Sequence, residues 1–376
     1  MGGGGSAGRP RQSSPTPGAS LPVPLAPDNF LLAGWDPLDR LAPDGLWGPE
    51  GNSPLVEAVR SEALSRGHDP EQMTETALEN GRRPLLERAS RLAVYYELTK
   101  PGIAGYVMVT AGVTYLVAAG GRAELVPVLF TLLGTALATG GALALNQFVE
   151  WELDALMERT RSRPIPSGRM GPMEALLFGN ILTVGGIAIL YVAVGWLPAA
   201  LTALSALSYN LLYTPLKKVS YISTLAGAFP GAMPTLIGWS AATGTLTLGA
   251  GTIFAIAYLW QLPHVLSLGW LLRKDYARAG FYLIPKSDPE GRRIAWHITA
   301  FSATLLLVGA VPTWVGVTGW VYLVGMLLLG TFLLILALGT VKEGRLTTAA
   351  ARRVFLASLV YHPLFLLFLL LDALPL

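Results

Sequence analysis

The sequence predicts an all-α polytopic membrane protein, a bundle of nine transmembrane helices with its N-terminus in the cytoplasm. Three observations predict it. Of the 376 residues, 52% are hydrophobic and only 14% charged, against about 25% charged in an ordinary soluble protein. Nine apolar stretches approach the roughly 20 residues that cross the hydrocarbon of a bilayer. Lysine and arginine also fall in alternate loops. Twenty-one of the 27 lie in 82–100, 159–169, 217–218, 273–293 and 342–353, and the intervening loops hold only Arg122. The positive-inside rule then puts those segments and the N-terminus in the cytoplasm and the C-terminus outside.

In chain order, residues 1–53 are rich in Gly, Pro and Ser, which predicts a disordered tail that buries little. They lack the apolar core of a signal peptide. Residues 54–92 mix Leu55, Val56, Val59, Leu64 and Leu78 with charges, the pattern of an amphipathic or surface helical extension. A tail, anchor or docking role suits these first residues better than chemistry does. The membrane domain follows at 93–376. Its spans are expected near 101–119, 125–149, 174–195, 197–214, 222–240, 249–271, 294–312, 318–340 and 354–373. With no cysteine, disulfides and thiolate metal sites are excluded. The basic residues sit in short loops, so no nucleic-acid surface is expected.

The chemistry concentrates at the end of the second span. Asn146, Glu150 and Asp154 stand four residues apart, a step close to the helical repeat, so their oxygens share one face. Charged groups at the mouth of a lipid-facing segment are costly unless a cation or wet cavity receives them. Carboxylate and amide oxygens suit Mg²⁺. The adjoining Arg159, Arg163 and Arg169, with Thr160, suit phosphate oxygens. Glu152 points off this face. Pro164 and Pro166 are expected to end the helix and stiffen the loop.

Two further clusters face the cytoplasmic side. Tyr209, Asn210, Tyr213 and Thr214 precede Lys217 and Lys218; the lysines are either topology markers or a contact to a diphosphate across the cavity. Gly227, Pro230, Gly231, Pro234 and Gly238 weaken the next helix or permit close packing. The run Trp260-Gln261-Leu-Pro263-His264 lies deep in a span, with Arg273, Lys274, Asp275 and Arg278 after it. His264 is either a core histidine or a contact and proton-handling group for an acceptor substrate. Asp275 could complete a second metal or pair with Lys274 or Arg278.

These runs resemble the UbiA superfamily of intramembrane prenyltransferases and, within it, the protohaem IX farnesyltransferases (haem O synthases). The resemblance rests on Asn146 to Arg169, Tyr213 to Lys218, Gly227 to Trp239, Trp260 to His264, and Asp275 to Phe281, and covers about residues 90–373. Ser223 stands where the family usually has Asn, and Thr235 where it usually has Pro. The resemblance implies a UbiA-type bundle around a central cavity, with Mg²⁺ as cofactor held by Asn146, Glu150 and Asp154. It implies transfer of the farnesyl group of farnesyl diphosphate to a vinyl group of haem B, with water addition, giving haem O. Arg159, Arg163 and Lys217 would stabilise the departing diphosphate, with His264 a further catalytic candidate. Tyr213, Lys218, Gln261, Asp275 and Arg278 would bind substrate. A cell inner membrane setting follows, with haem A synthase or terminal-oxidase assembly proteins as partners. Two rivals stand beside it. One is prenylation of an aromatic quinone precursor, which a second acidic pair in 258–275 would have favoured. The other is a transporter or assembly protein, for which matched broken helices in two halves would be the sign.

Overall fold

The computed structural model describes Gly2, Asp69 and residues 90–281, 284–285, 287–342 and 344–373. The expected tail and most of the expected surface extension therefore lie outside the described residues. The chain divides into Met1–Trp47 and Gly48–Leu376, and the architecture below belongs to the second unit.

All regular structure among the described residues is helical. Residues 90–98 form a helix, and Lys100 just beyond it, with a left-handed backbone (φ 47°), redirects the chain into α1, Pro101–Ala119. Proline at the first helical position costs nothing, because its missing N–H would have had no partner there. The thirty-residue α2, Leu125–Asp154, runs beside α3, Pro172–Ala193. Their contact is glycine on glycine: a methyl on Gly186 would stand 2.5 Å from the Gly134 carbonyl oxygen, and one on Gly141 2.6 Å from that of Gly179. Such close backbone approach is how helices associate where lipid supplies no hydrophobic drive. Next come α4 (Trp196–Leu207), a π-helical turn (Ser208–Tyr213), the short α5 (Thr214–Leu216) and α6 (Ser223–Thr243). The remainder is α7 (Leu248–Leu271), α8 (Arg273–Arg278), α9 (Arg292–Gly309), α10 (Val311–Trp314), α11 (Trp320–Val341) and α12 (Thr348–Ala373). The largest apolar core joins α7, α9, α11 and α12 through Ile256, Ile298, Leu305, Tyr322, Met326 and Phe365.

The expectation of nine spans is corrected. Among the described residues, seven helical segments are long and apolar enough to cross a membrane: Pro101–Ala119, Leu125–Asp154, Pro172–Ala193, Leu248–Leu271, Arg292–Trp314, Trp320–Val341 and Thr348–Asp372. The stretch expected at 197–214 is broken, its twelve-residue α4 giving way to the π turn. The stretch expected at 222–240 is one helix, but Ser223, Thr224, Thr235, Ser240 and its glycines and prolines dilute its apolar character.

Neither proline interrupts α6. Pro234 cannot donate to the carbonyl of Pro230, and Ser205 Oγ donates to that oxygen instead at 3.2 Å, the kind of substitution that makes proline tolerable inside a membrane protein. Helix α2 likewise ends at Asp154, well before Pro164 and Pro166, so the prolines do not terminate it. Gly238 abuts α1, where a methyl group would strike the Ala111 carbonyl oxygen and Thr114 Oγ1. Gly238→Ala is therefore expected to destabilise the fold by about 1–3 kcal/mol, the usual cost of overpacking. Thermal unfolding in detergent reads this directly, and an unchanged midpoint would refute the close α1–α6 contact.

Candidate active site

Asn146, Glu150 and Asp154 are all buried on one face of α2, while Val149, Trp151 and Glu152 are exposed. Each is held differently. Asn146 Nδ2 donates to Thr214 Oγ1 at 3.0 Å, leaving its carbonyl oxygen available. Glu150 meets Lys217: Nζ lies 2.7 Å from Oε1 and donates to Oε2 at 3.0 Å. Only the second contact has hydrogen-bond geometry, since Oε1 counts as a buried acceptor without a donor. Asp154 Oδ2 accepts from Arg163 Nη1 at 2.8 Å, and Asp154 Oδ1 is buried with no partner. Both pairs are shielded from water, with Asp154 only 1% and Glu150 4% exposed.

Local structure explains why these groups converge. After Asp154 the chain folds into successive turns, with Met157 N, Thr160 N and Arg163 N bonded to the carbonyls of Asp154, Met157 and Thr160. Thr160 Oγ1 donates back to the Asp154 carbonyl at 2.8 Å. These turns bring Arg163 over the end of its own helix. On the facing side, the π turn widens the backbone around Tyr209 to Tyr213, a distortion that recurs at functional sites. Asn210 Nδ2 fastens it to the Ala142 carbonyl at 3.2 Å, and Tyr213 packs against Gly227, where any methyl would clash with its ring at 2.6 Å. Lys217 then lies 4.6 Å from the centre of the Tyr213 ring. Burial opposes its charge, but Tyr213 and Glu150 favour it, and the ammonium ends above the ordinary lysine range. Its neighbour Lys218 is exposed. The two lysines are thus separated by their surroundings.

Lys100 was not singled out from the sequence, yet it belongs to this rim. Burial pushes its ammonium down to about 7; Arg163 acts in the same direction, while Asp154 opposes it. A lysine immediately before the proline that opens the first span was the available signal.

The other expected site residues are placed as follows. Arg159 is partly buried and close enough to Tyr276 to act on its hydroxyl, which burial pushes up and Arg159 pulls down. Arg169 braces the loop, donating to Glu97 at 2.6 and 2.9 Å and to the Ser162 carbonyl at 2.6 Å. Asp275 Oδ1 accepts from the Glu158 backbone N–H at 3.1 Å, and Arg278 pairs with Glu158 at 2.9 Å and with Asp275 at 3.5 Å. These two residues clamp α8 to the loop after α2. Met157, Ala279 and Phe281 pack beneath that clamp. Gln261 donates to the carbonyls of Ala228 at 3.2 Å and Ala257 at 3.0 Å. His264 lies about one turn further along α7, with Nδ1 2.9 Å from Ser358 Oγ and its ring between Trp260 and Phe355. It does not stand alone in its cluster: His362, unremarked in the sequence, lies 4.4 Å from the Trp260 ring and is 2% exposed.

Beyond the charged rim is an apolar cavity of about 240 Å³ between α1, α2, α4, α6 and α7. Thr224, Gly227, Pro230, Gly231, Pro234 and Ile237 line it along α6, a stripe at three- and four-residue steps that presents one helix face. Gln261 and Val265 close it from α7, and Tyr209 and Tyr213 stand where it meets the rim. A cavity with a charged mouth and an apolar body fits an amphipathic substrate with an anionic head.

Comparison with known proteins agrees with that geometry. The model of the UbiA prenyltransferase family matches residues 107–359. A protoheme IX farnesyltransferase from Solibacter usitatus is 40% identical over 287 residues, covering 74% of this chain and 98% of that protein. One from Opitutus terrae is 38% identical over 287 residues, covering 76% and 96%. Among solved structures, one of digeranylgeranylglyceryl phosphate synthase superposes with a TM-score of 0.65 at 17% identity, covering 75% of this chain and 98% of that one. A UbiA homolog from Archaeoglobus fulgidus bound to GPP and Mg²⁺ gives 0.53 at 14% identity, covering 73% and 99%. At such identities the structural likeness speaks for the fold.

Proposed function

Because this multi-pass membrane chain belongs to the UbiA prenyltransferase family, we infer that it transfers the farnesyl group of farnesyl diphosphate to a vinyl group of haem B. The products are haem O and diphosphate. The observation that carries the reading is the buried rim of Glu150–Lys217 and Asp154–Arg163 pairs at the mouth of the apolar cavity, in a chain 40% identical to a protoheme IX farnesyltransferase.

The residues fit magnesium. Among the described residues no group of three His, Cys, Asp or Glu side chains forms a closed metal cage, and Mg²⁺ at phosphoryl sites commonly takes only one or two carboxylates with substrate phosphates and water. Glu150 and Asp154 would supply those carboxylates and Asn146 an amide oxygen. The unpartnered Oδ1 of Asp154 is an acceptor awaiting such a ligand. Magnesium bound there supplies Lewis-acid neutralisation of the diphosphate.

The protein's own groups do the rest. Lys217, Arg163 and Lys100 place positive charge where the diphosphate gathers negative charge as the allylic C–O bond breaks, the largest kind of electrostatic stabilisation in catalysis. Arg159 adds to the same rim. The apolar cavity holds the farnesyl chain and keeps water from its cation. The haem vinyl group donates its electron pair to the first farnesyl carbon, and diphosphate leaves with the C–O pair. Water then captures the cation on the haem side and loses a proton, leaving a hydroxyethylfarnesyl substituent. Tyr213 and Gln261 border the space where the two substrates meet. His264, held by Ser358, is a positioning residue for the haem-side wall of α7. The membrane domain expected at 93–376 carries the reaction. The rim and N-terminus face the cytoplasm, and the setting is the cell inner membrane beside haem A synthase or terminal-oxidase assembly proteins.

Offering purified protein haem B and a hydroxybenzoate as competing acceptors tests this reading. Farnesylation of haem B alone is expected; a farnesylated hydroxybenzoate would favour the quinone-precursor activity instead.

A further inference from the structure

A second cavity, of about 250 Å³, opens beside the rim between the end of α7, α8 and the segment leading into α9. Its apolar walls include Phe281, Ile284 and Pro285, and among the described residues its cation is Arg273. Arg273 is fixed in place: Nη1 donates to the Trp270 carbonyl at 2.7 Å, and the guanidinium carbon lies 4.4 Å from the Trp270 ring centre. That bond takes one of the five donors a guanidinium carries. The carboxylate lining the cavity, Asp288, is committed elsewhere, its Oδ2 accepting from the Arg293 and Ile294 N–H groups at 2.8 and 3.1 Å. Trp270 is 4% exposed, and its indole N–H has no acceptor in the structure. Its ring packs onto Gly291, where a methyl would approach within 2.6 Å.

The position of the cavity narrows what that ligand is. Phe281 lines it and also stands 5.5 Å, centre to ammonium, from Lys217. One aromatic ring therefore separates it from the diphosphate rim. An anion with an attached apolar body, bound there, would extend towards the reacting carbon.

We propose that this cavity receives a propionate of haem B, with Arg273 binding the carboxylate and the apolar wall taking the adjoining porphyrin edge. The assignment rests on the haem B reading above. Haem carries its propionates and its vinyl groups on different edges, so anchoring a propionate fixes which edge meets the farnesyl group. Arg273 is then a specificity residue for the acceptor and takes no part in diphosphate binding.

Soret titrations of haem B and of its dimethyl ester into the full chain, in neutral detergent and without turnover, test the proposal. The wild type is expected to bind haem B about 10- to 100-fold more tightly than the ester, the worth of a charge-assisted hydrogen bond. Arg273→Gln should weaken haem B by that factor and leave both the ester and farnesyl diphosphate unchanged. Equal weakening of haem B and the ester by Arg273→Gln, or no change in either, overturns the assignment. So does an Arg273-dependent preference for phosphatidylglycerol vesicles in place of the haem preference, which would make the cavity a lipid-phosphate site. If Arg273→Gln fails to fold, Arg273→Met, which keeps most of the side chain's length without its charge, carries the same comparison. A wild type that prefers haem B over the ester yet forms no haem O would overturn the activity and leave the cavity assigned; haem O formation with no Arg273-dependent preference would do the reverse.

Discussion

Asp154→Asn is expected to keep the fold and lose about 10²–10³-fold in kcat, the usual effect of removing one electrostatic stabiliser. Asparagine preserves the shape of the side chain and can still accept from Arg163 Nη1, which lies 2.8 Å from Asp154 Oδ2 in the wild type. What disappears is the negative charge of a magnesium ligand, and the neighbouring Asn146 cannot replace it. Steady-state farnesyl transfer at saturating Mg²⁺, with thermal unfolding as control, is the measurement. Retention of more than about half the wild-type rate would remove Asp154 from the rim, since even a modest transition-state contact is worth more than twofold. Glu150→Gln should behave similarly, and Asn146→Ala should chiefly weaken magnesium affinity.

Lys217→Ala is expected to act twice. It strips the diphosphate of a buried cation, and it leaves Glu150, 4% exposed, without the ammonium that now lies 2.7 Å away. Breaking a buried pair from one side commonly costs about 3–5 kcal/mol, so the midpoint of unfolding should fall together with farnesyl diphosphate affinity. Haem B affinity should remain. The double variant Lys217→Met with Glu150→Gln separates the effects: without an uncompensated charge it should regain stability, while activity stays lost. A single variant that melts like the wild type and binds farnesyl diphosphate unchanged would return Lys217 to the role of topology marker.

Much of this site was legible because helical spacing is local. Asn146, Glu150 and Asp154 needed only a four-residue step, and the acidic face, Arg163 and Lys217 do come together. What remained hidden depends on distant packing. Nothing local in Ser208–Tyr213 announces a π turn, and without it the fourth apolar stretch reads as a full crossing. Asp275 could complete a second metal or pair with Lys274 or Arg278; it does pair with Arg278, at 3.5 Å, while its hydrogen-bond donor, the Glu158 backbone N–H, is 117 residues away. The sequence leaves His264 open between a core histidine and an acceptor contact, because what it faces depends on a distant helix. Pro263 leaves α7 unbroken, and the imidazole meets Ser358 on the last helix. Lys100 escaped because its proximity to Arg163 and Asp154 is made by the loop after α2 folding back over the start of α1.

The most direct test is product analysis from the purified full chain supplied with farnesyl diphosphate, haem B and heavy-oxygen water, with and without Mg²⁺. The predicted result is haem O carrying one heavy oxygen in its hydroxyethylfarnesyl group, formed only when Mg²⁺ is present. Unchanged haem B in a sample where both substrates are shown to be bound would contradict the account.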